Sequence, residues 1–108
     1  MSKDKLKEGH KDDAEKIRYD LISFVGLEEL AKVYTIGAKK YEDNNWRKGI
    51  KWSRIIAAML RHLTSYIRGE TYDKESGLNH LAHVAWGCFA LIEFNNTHKK
   101  FDDRFKDV

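Results

Sequence analysis

The chain has 108 residues, 42% hydrophobic and 34% charged, with a formal net charge of +3 at pH 7. That balance excludes wholesale disorder and the strongly basic stripe of a duplex nucleic-acid binder, but it is compatible with a small anionic ligand. Cys88 is the only cysteine, so an intramolecular disulfide is excluded, and no apolar run approaches the roughly 20 residues of a membrane span.

The N-terminal "MSKDKLKEGHKDD" has charge but no apolar h-region, so a cytoplasmic location is expected. A lone domain of this size buries only about two-thirds of its unfolded surface, which favours a homodimer or higher homo-oligomer. Residues 1–13 read as a polar tail and residues 14–97 as one helical domain. Residues 98–108 read as an amphipathic tail whose Phe101 and Phe105, four apart, suit docking on a partner.

Taken in chain order, Ala14–Gly26 reads as a short helical turn or an extended arm. The first clear helix runs over Gly26–Asp43: Leu27, Leu30, Tyr34, Gly37 or Ala38, and Tyr41 fall at helical spacing. Glu28 and Glu29 in its first turn and Lys39 and Lys40 in its last match the helix macrodipole. Asp43, Asn44, Asn45 and Gly49 then form a turn. A second helix is predicted with Ser53 as N-cap, an apolar stripe of Trp52, Ile55, Ile56, Met59, Leu63 and Ile67, and Gly69 as the closing glycine. The third, from about Leu78 to Asn96, is apolar nearly all round, which predicts a central helix buried on every side, with Cys88 as a small buried hydrophobe. The absence of proline fits a wholly helical chain. The fold class expected is all-α, a small bundle.

The residues that can carry chemistry gather in one stretch. His80, His83, Gly87, Ala90 and Phe94 share a stripe of the third helix, and Gly87 would leave room beside the imidazoles. His62 sits at the edge of the apolar stripe of the preceding helix, next to Arg61. The connecting loop adds Glu70, Asp73 and Glu75. A helical hairpin would bring three carboxylates, three histidines and an arginine to one end. Such a set suits a divalent ion, magnesium or manganese. Glu70, Asp73, Glu75 and His80 are the candidate metal ligands. His62, His80, His83 and Glu75 are the candidate catalytic groups. A second, positive group offers phosphate and base contacts: Lys16, Arg18, Tyr19, Lys39, Lys40, Tyr41, Asn45, Trp46, Arg47 and Arg61. Trp46, in a polar loop, either packs onto the core or stacks on a ligand.

Four stretches carry a resemblance: "KIRYDLI" (Lys16–Ile22), "GAKKYEDNNWRKG" (Gly37–Gly49), "RIIAAMLRHL" (Arg54–Leu63) and "GETYDKESGLNHLAHVAW" (Gly69–Trp86). In this order they resemble the N-terminal domain of the phage and bacterial dATP/dGTP diphosphohydrolases, and the last stretch is the most specific. The resemblance implies a small MazG-like nucleotide pyrophosphatase, completed by oligomerisation. Such an enzyme uses magnesium or manganese to cut a purine dNTP to the monophosphate and pyrophosphate. Ser23 stands where the family often has proline. The chain also has no Glu-x-x-Glu pair of the MazG type, so that ligand set does not carry over residue by residue. The same residues would serve a phage protein that binds or sequesters nucleotides without cutting them. They would also serve a helical interaction module whose histidines are structural.

Overall fold

The computed structural model describes residues 7–106. Three α-helices account for the fold: α1 (Phe24–Lys40), α2 (Trp52–Ile67) and α3 (His80–Thr97). Short 3-10 turns lie at Tyr19–Leu21, Asn45–Lys48 and Lys99–Phe101. Among the described residues there is no strand beyond one isolated bridge, Tyr72 with Asn79. The chain is therefore all-α, as its periodicity predicts. Among the same residues no helix is long and apolar enough to cross a membrane.

Local chemistry sets the helix ends. α1 starts earlier than its apolar spacing suggests, because the Ser23 side chain accepts the Gly26 N–H at 3.0 Å. It also ends earlier, at Lys40. Ser53 is not the cap of α2. It lies one residue inside the helix, and Lys51 holds the cap position without a side-chain bond. The capping acceptor comes from the far end of the chain: Asp103 takes the Ser53 N–H at 2.8 Å and the Ser53 hydroxyl at 2.6 Å. A carboxylate there also meets the positive end of the helix dipole. Gly69 follows α2 at φ +102°, a conformation that favours glycine and stops the helix. Asn79, which accepts from Leu81 N–H, starts α3 two residues later than its apolar run.

α2 and α3 form an antiparallel hairpin, and α1 packs on α3. The buried centre is Trp52 and Ile55 of α2 against Ala90 and Phe94 of α3, flanked by Trp46, Ile50, Met59, Trp86, Leu91 and Phe101. Phe101 thus docks on its own chain, while Phe105 is exposed. The close approach of the two helices rests on Gly87. A Cβ there would fall 2.3 Å from Met59 Cγ and 3.3 Å from Ile55 Cγ2. The room beside Gly87 is therefore filled by Met59, not left for the imidazoles.

α3 is not buried on every side. Leu81, Cys88, Phe89 and Ile92 are exposed on the described chain, so Cys88 is not the buried hydrophobe its neighbours suggest. A helix apolar all round marks the amount of apolar surface, not which side of it one chain covers. Residues 7–28 are all exposed as well, Ile17, Tyr19 and Leu21 among them. The expected tail at 1–13 lies partly outside the described residues, and its remainder, 7–13, is exposed.

The Gly87 contact makes a test. Gly87→Ala gains helix propensity of up to about 1 kcal/mol. It loses about 1–3 kcal/mol to overpacking against Met59. The expected outcome in thermal unfolding is net destabilisation, and Met59→Ala in the same chain should recover part of it. Additive losses in the double variant would show that the two residues do not meet.

Candidate functional site: a histidine–carboxylate cleft beside an aromatic cavity

The register set at Gly87 decides which polar residues meet. One turn beyond Met59 on α2 stands His62. One turn before Gly87 on α3 stands His83, and one further back is His80. The antiparallel hairpin brings the three rings together. His62 stacks on His83 with centroids 4.3 Å apart and planes 6° off parallel. His62 Nδ1 lies 2.9 Å from His80 Nδ1.

The loop that joins the helices is tied shut by its own backbone. Asp73 N–H donates to Leu78 C=O at 2.8 Å, Gly77 N–H to Asp73 C=O at 2.7 Å, and His80 N–H to Thr71 C=O at 3.0 Å. That closed turn aims side chains at the imidazoles. Glu70 Oε1 is 2.6 Å from His80 Nε2. Asp73 Oδ2 accepts the Ser76 hydroxyl at 2.8 Å and its N–H at 3.1 Å. Ser76 Oγ in turn lies 2.7 Å from His83 Nε2. His80 is almost fully buried, with 3% of its surface exposed.

The electrostatics follow from this packing. Burial pushes the His62 pKa below its ordinary value, and the neighbouring rings add to the effect against the opposing pull of Asp73. Burial likewise lowers the His83 pKa, again against Asp73. Burial alone would raise Asp73, but bonds from the Ser76 hydroxyl and amide and from the Glu75 backbone prevail and lower it. The cleft thus holds an ionised carboxylate against two imidazoles that resist a second proton.

Two cavities meet here. The polar one, about 380 Å³, is lined by Lys40, Arg61, His62, Ser65, Glu70, Asp73, Glu75, Ser76, His80 and His83, with Ile36. The apolar one, about 510 Å³, lies between α1 and the 41–50 turn, with Tyr34, Trp46, Ile50 and Trp86 as its large side chains and Tyr41 and Asn45 at its wall. Ile36 and His83 line both. Trp46 meets both expectations for it. Its ring packs edge-on to Tyr34 at 5.9 Å and beside Phe94 at 5.8 Å, and it still lines the cavity.

Of the residues singled out from sequence, the structure brings His62, His80, His83, Glu70, Asp73, Glu75, Lys40 and Arg61 to the polar cavity and Tyr41, Asn45 and Trp46 to the apolar one. Lys16, Arg18, Tyr19 and Lys39 line neither, and Arg18 is paired with its neighbour Asp20 at 2.8 Å. Arg47 is engaged by Glu93 at 2.6 Å and lies over the Trp46 ring, where it braces the turn. Ser76 was not singled out from sequence. Its signal is the Asp-x-x-Ser spacing of a turn in which a short polar side chain bonds back to the backbone. Tyr34 falls on the apolar spacing of the first helix and Trp86 in the apolar run of the third, yet with Ile36 they wall the apolar cavity.

Fold and site together define a small all-α domain with an imidazole–carboxylate cleft next to an aromatic cavity. The chain belongs to the family described as dATP/dGTP diphosphohydrolase, N-terminal, whose family model matches residues 7–104. It is similar to a protein of Salmonella phage PMBT28 named dATP/dGTP diphosphohydrolase, 36% identical over 96 residues. The match covers 89% of this chain and 33% of that protein, so the chain spans about a third of the relative's length. No solved structure matches the chain.

The lowered histidines have a consequence for stability. Below the ordinary imidazole value of about 6.5, the unfolded chain takes up protons that His62 and His83 refuse in the fold. Their contribution is complete above that value and is lost as the pH falls toward their depressed values. Asp73 acts in the same direction, but only below about 3.9. The melting temperature should therefore drop on acidification from about pH 6.5 to about pH 5, and drop less steeply in His62→Gln. An unchanged slope in that variant would contradict the assignment.

Proposed function

We propose that this domain binds a purine deoxynucleoside triphosphate and hydrolyses it to the monophosphate and pyrophosphate. The observation that carries the reading is the pairing of two cavities across Ile36 and His83, one aromatic and one polar. A nucleotide has the same division. Its base suits the apolar space beside Trp46 and Tyr34, and its phosphates suit Lys40 and Arg61. Both volumes fall in the range of about 300–1,000 Å³ common for small-ligand sites. The family and the phage relative's name support the same substrate class.

The polar cavity also suits a divalent cation. His62, Asp73 and His80 each offer one ligand atom within 4.8 Å of the others, and Glu70 and Glu75 line the same space. A mixed imidazole and carboxylate set favours manganese over magnesium, which prefers an all-oxygen octahedron. Bound there, the ion would offset the triphosphate charge and lower the pKa of water. The chain's own residues do the rest. Lys40 and Arg61 orient the phosphates. The neutral ring of His83, outside that ligand group, is suited to accept a proton from the attacking water near neutral pH. Asp73 keeps its charge and holds Ser76 against His83. Pairing of two copies through the exposed side of α3, and action inside a host cytoplasm, belong to the same proposal.

The test is direct. Purified protein with manganese should convert dGTP or dATP to the monophosphate with release of pyrophosphate. Asp73→Asn should lower kcat at least about 100-fold. Trp46→Ala should mainly raise KM, since it removes the ring against which the base packs. No turnover across a panel of nucleotides and metals, with intact nucleotide recovered from the protein, would replace hydrolysis by sequestration.

A further inference from the structure

Residues 98–104 read from sequence as part of a tail for a partner, and the reaction proposed above makes no use of them. The structure turns this segment back over its own chain. It starts where α3 ends: His98 N–H donates to Phe94 C=O at 2.9 Å, and the two rings stand edge-on with centroids 5.0 Å apart. It finishes at the start of α2. Asp103 accepts both the N–H and the hydroxyl of Ser53. Arg104, folded back by two bonds to Asp102 at 2.9 Å, lies over Trp52, 5.0 Å from the ring centroid. The segment is a strap with one end tied to α3 and the other to α2.

Between its ends the strap crosses Gly49. A Cβ on Gly49 would fall 2.5 Å from Phe101 Cε2 and 2.7 Å from His98 Cδ2, so both rings lie directly on the glycine. Gly49 also has φ +102°, so conformation and space both exclude a side chain there. This glycine is joined to the wall of the aromatic cavity: its N–H donates to Trp46 C=O at 3.1 Å, and Ile50 follows it in the chain. Trp46 and Ile50 line that cavity, whereas His98 and Phe101 line neither cavity. The strap therefore touches the turn from outside the space a ligand would fill. The turn is a single 3-10 stretch, Asn45–Lys48, entered through a left-handed Asn44 and left through Gly49. So short a stretch has few hydrogen bonds of its own, and what packs on it sets its position. Arg47, bonded to Glu93, braces it from α3, and Phe101 braces its exit.

We propose that Phe101 is a positioning residue for the base-binding end of the site: held by the strap, its ring fixes Gly49 and, through it, the Trp46–Ile50 wall of the aromatic cavity in one arrangement. A nucleotide then meets a formed cavity and not a loose turn, and less ordering opposes its binding. Asp103 serves the same end by anchoring the strap to Ser53. The inference rests on reading the aromatic cavity as the seat of the base, but the state of the turn can be observed without any nucleotide.

The test uses the whole chain labelled with 5-fluorotryptophan, with the Trp46 fluorine line assigned through Trp46→Phe. In the wild type, free of metal and nucleotide, that line should be single and sharp. In Phe101→Ala, held well below its unfolding temperature, it should broaden or split as the turn takes several positions. KM for dGTP with manganese should rise about 10-fold while kcat stays within a few-fold, because the reacting phosphates lie at the other end of the site. Phe101→Leu keeps apolar bulk and should show a smaller change in the same two readouts, which covers an alanine variant that does not fold. Asp103→Ala, which cuts the tie to α2, should move both readouts in the same direction. A Phe101→Ala chain that melts earlier but keeps the wild-type Trp46 line and KM would reduce the strap to a stabilising element and overturn the proposal. So would a loss confined to kcat. If the wild-type chain turns over no nucleotide, the Trp46 line still decides whether the strap holds the wall, and the missing turnover counts against the proposed activity alone.

Discussion

The site depends on one steric fact, that α3 presents no side chain at Gly87. Met59 and Ile55 occupy the space a Cβ would need, and this sets the separation and register of α2 and α3. Everything polar follows from that register. One turn along each helix, in opposite directions, lie His62 and His83, and one turn further back on α3 lies His80. A bulkier residue at 87 would force the helices apart or slide them, and a stack at 4.3 Å would not survive either change. The apolar core of Trp52, Ile55, Ala90 and Phe94 holds the other end of the hairpin, and Asp103 caps α2 from the tail. The packed end thus supplies stability, and the open end gathers the polar side chains.

The loop between the helices does more than connect them. Its backbone bonds close a turn from Thr71 to His80. Asp73 and Glu75 lie within this turn and Glu70 just before it, and because the turn's backbone groups are paired among themselves the side chains are left free to line the polar cavity. Glu70 and Asp73 engage different rings, directly in one case and through Ser76 in the other. Burial keeps the rings neutral, and hydrogen bonds keep Asp73 charged. Next to this, the aromatic cavity is a by-product of a turn that folds Trp46 back onto Tyr34 and Trp86. A polar pocket and an apolar one share two wall residues, Ile36 and His83.

Much of this was legible in the sequence, and the limits are physical. Three helices, the closing role of Gly69 and the gathering of Glu70, Asp73, Glu75, His62, His80 and His83 follow from 3.6-residue periodicity and from the shortness of one loop. What escaped needs a distant partner. Ser53 reads as a cap because serine favours that position, but the true acceptor, Asp103, is 50 residues away. Gly87 reads as room for a ligand because its filler, Met59, lies on another helix. The exposure of Cys88, Phe89 and Ile92 is invisible to periodicity, since a helix apolar all round does not say which side its own chain covers. Lys16, Arg18 and Tyr19 read as ligand contacts from composition, yet nothing in composition fixes the direction of an exposed arm. Trp46 was ambiguous between core and ligand because a cavity wall is both.

The proposed activity requires that one nucleotide span the two cavities. The measurement that tests it most directly is a crystal structure of the chain with manganese and a non-hydrolysable purine deoxynucleoside triphosphate analogue. The base should lie against Trp46 and Tyr34, and the phosphates beside Lys40, Arg61 and Asp73. A nucleotide whose base lies among the histidines, or one bound outside both cavities, would contradict this.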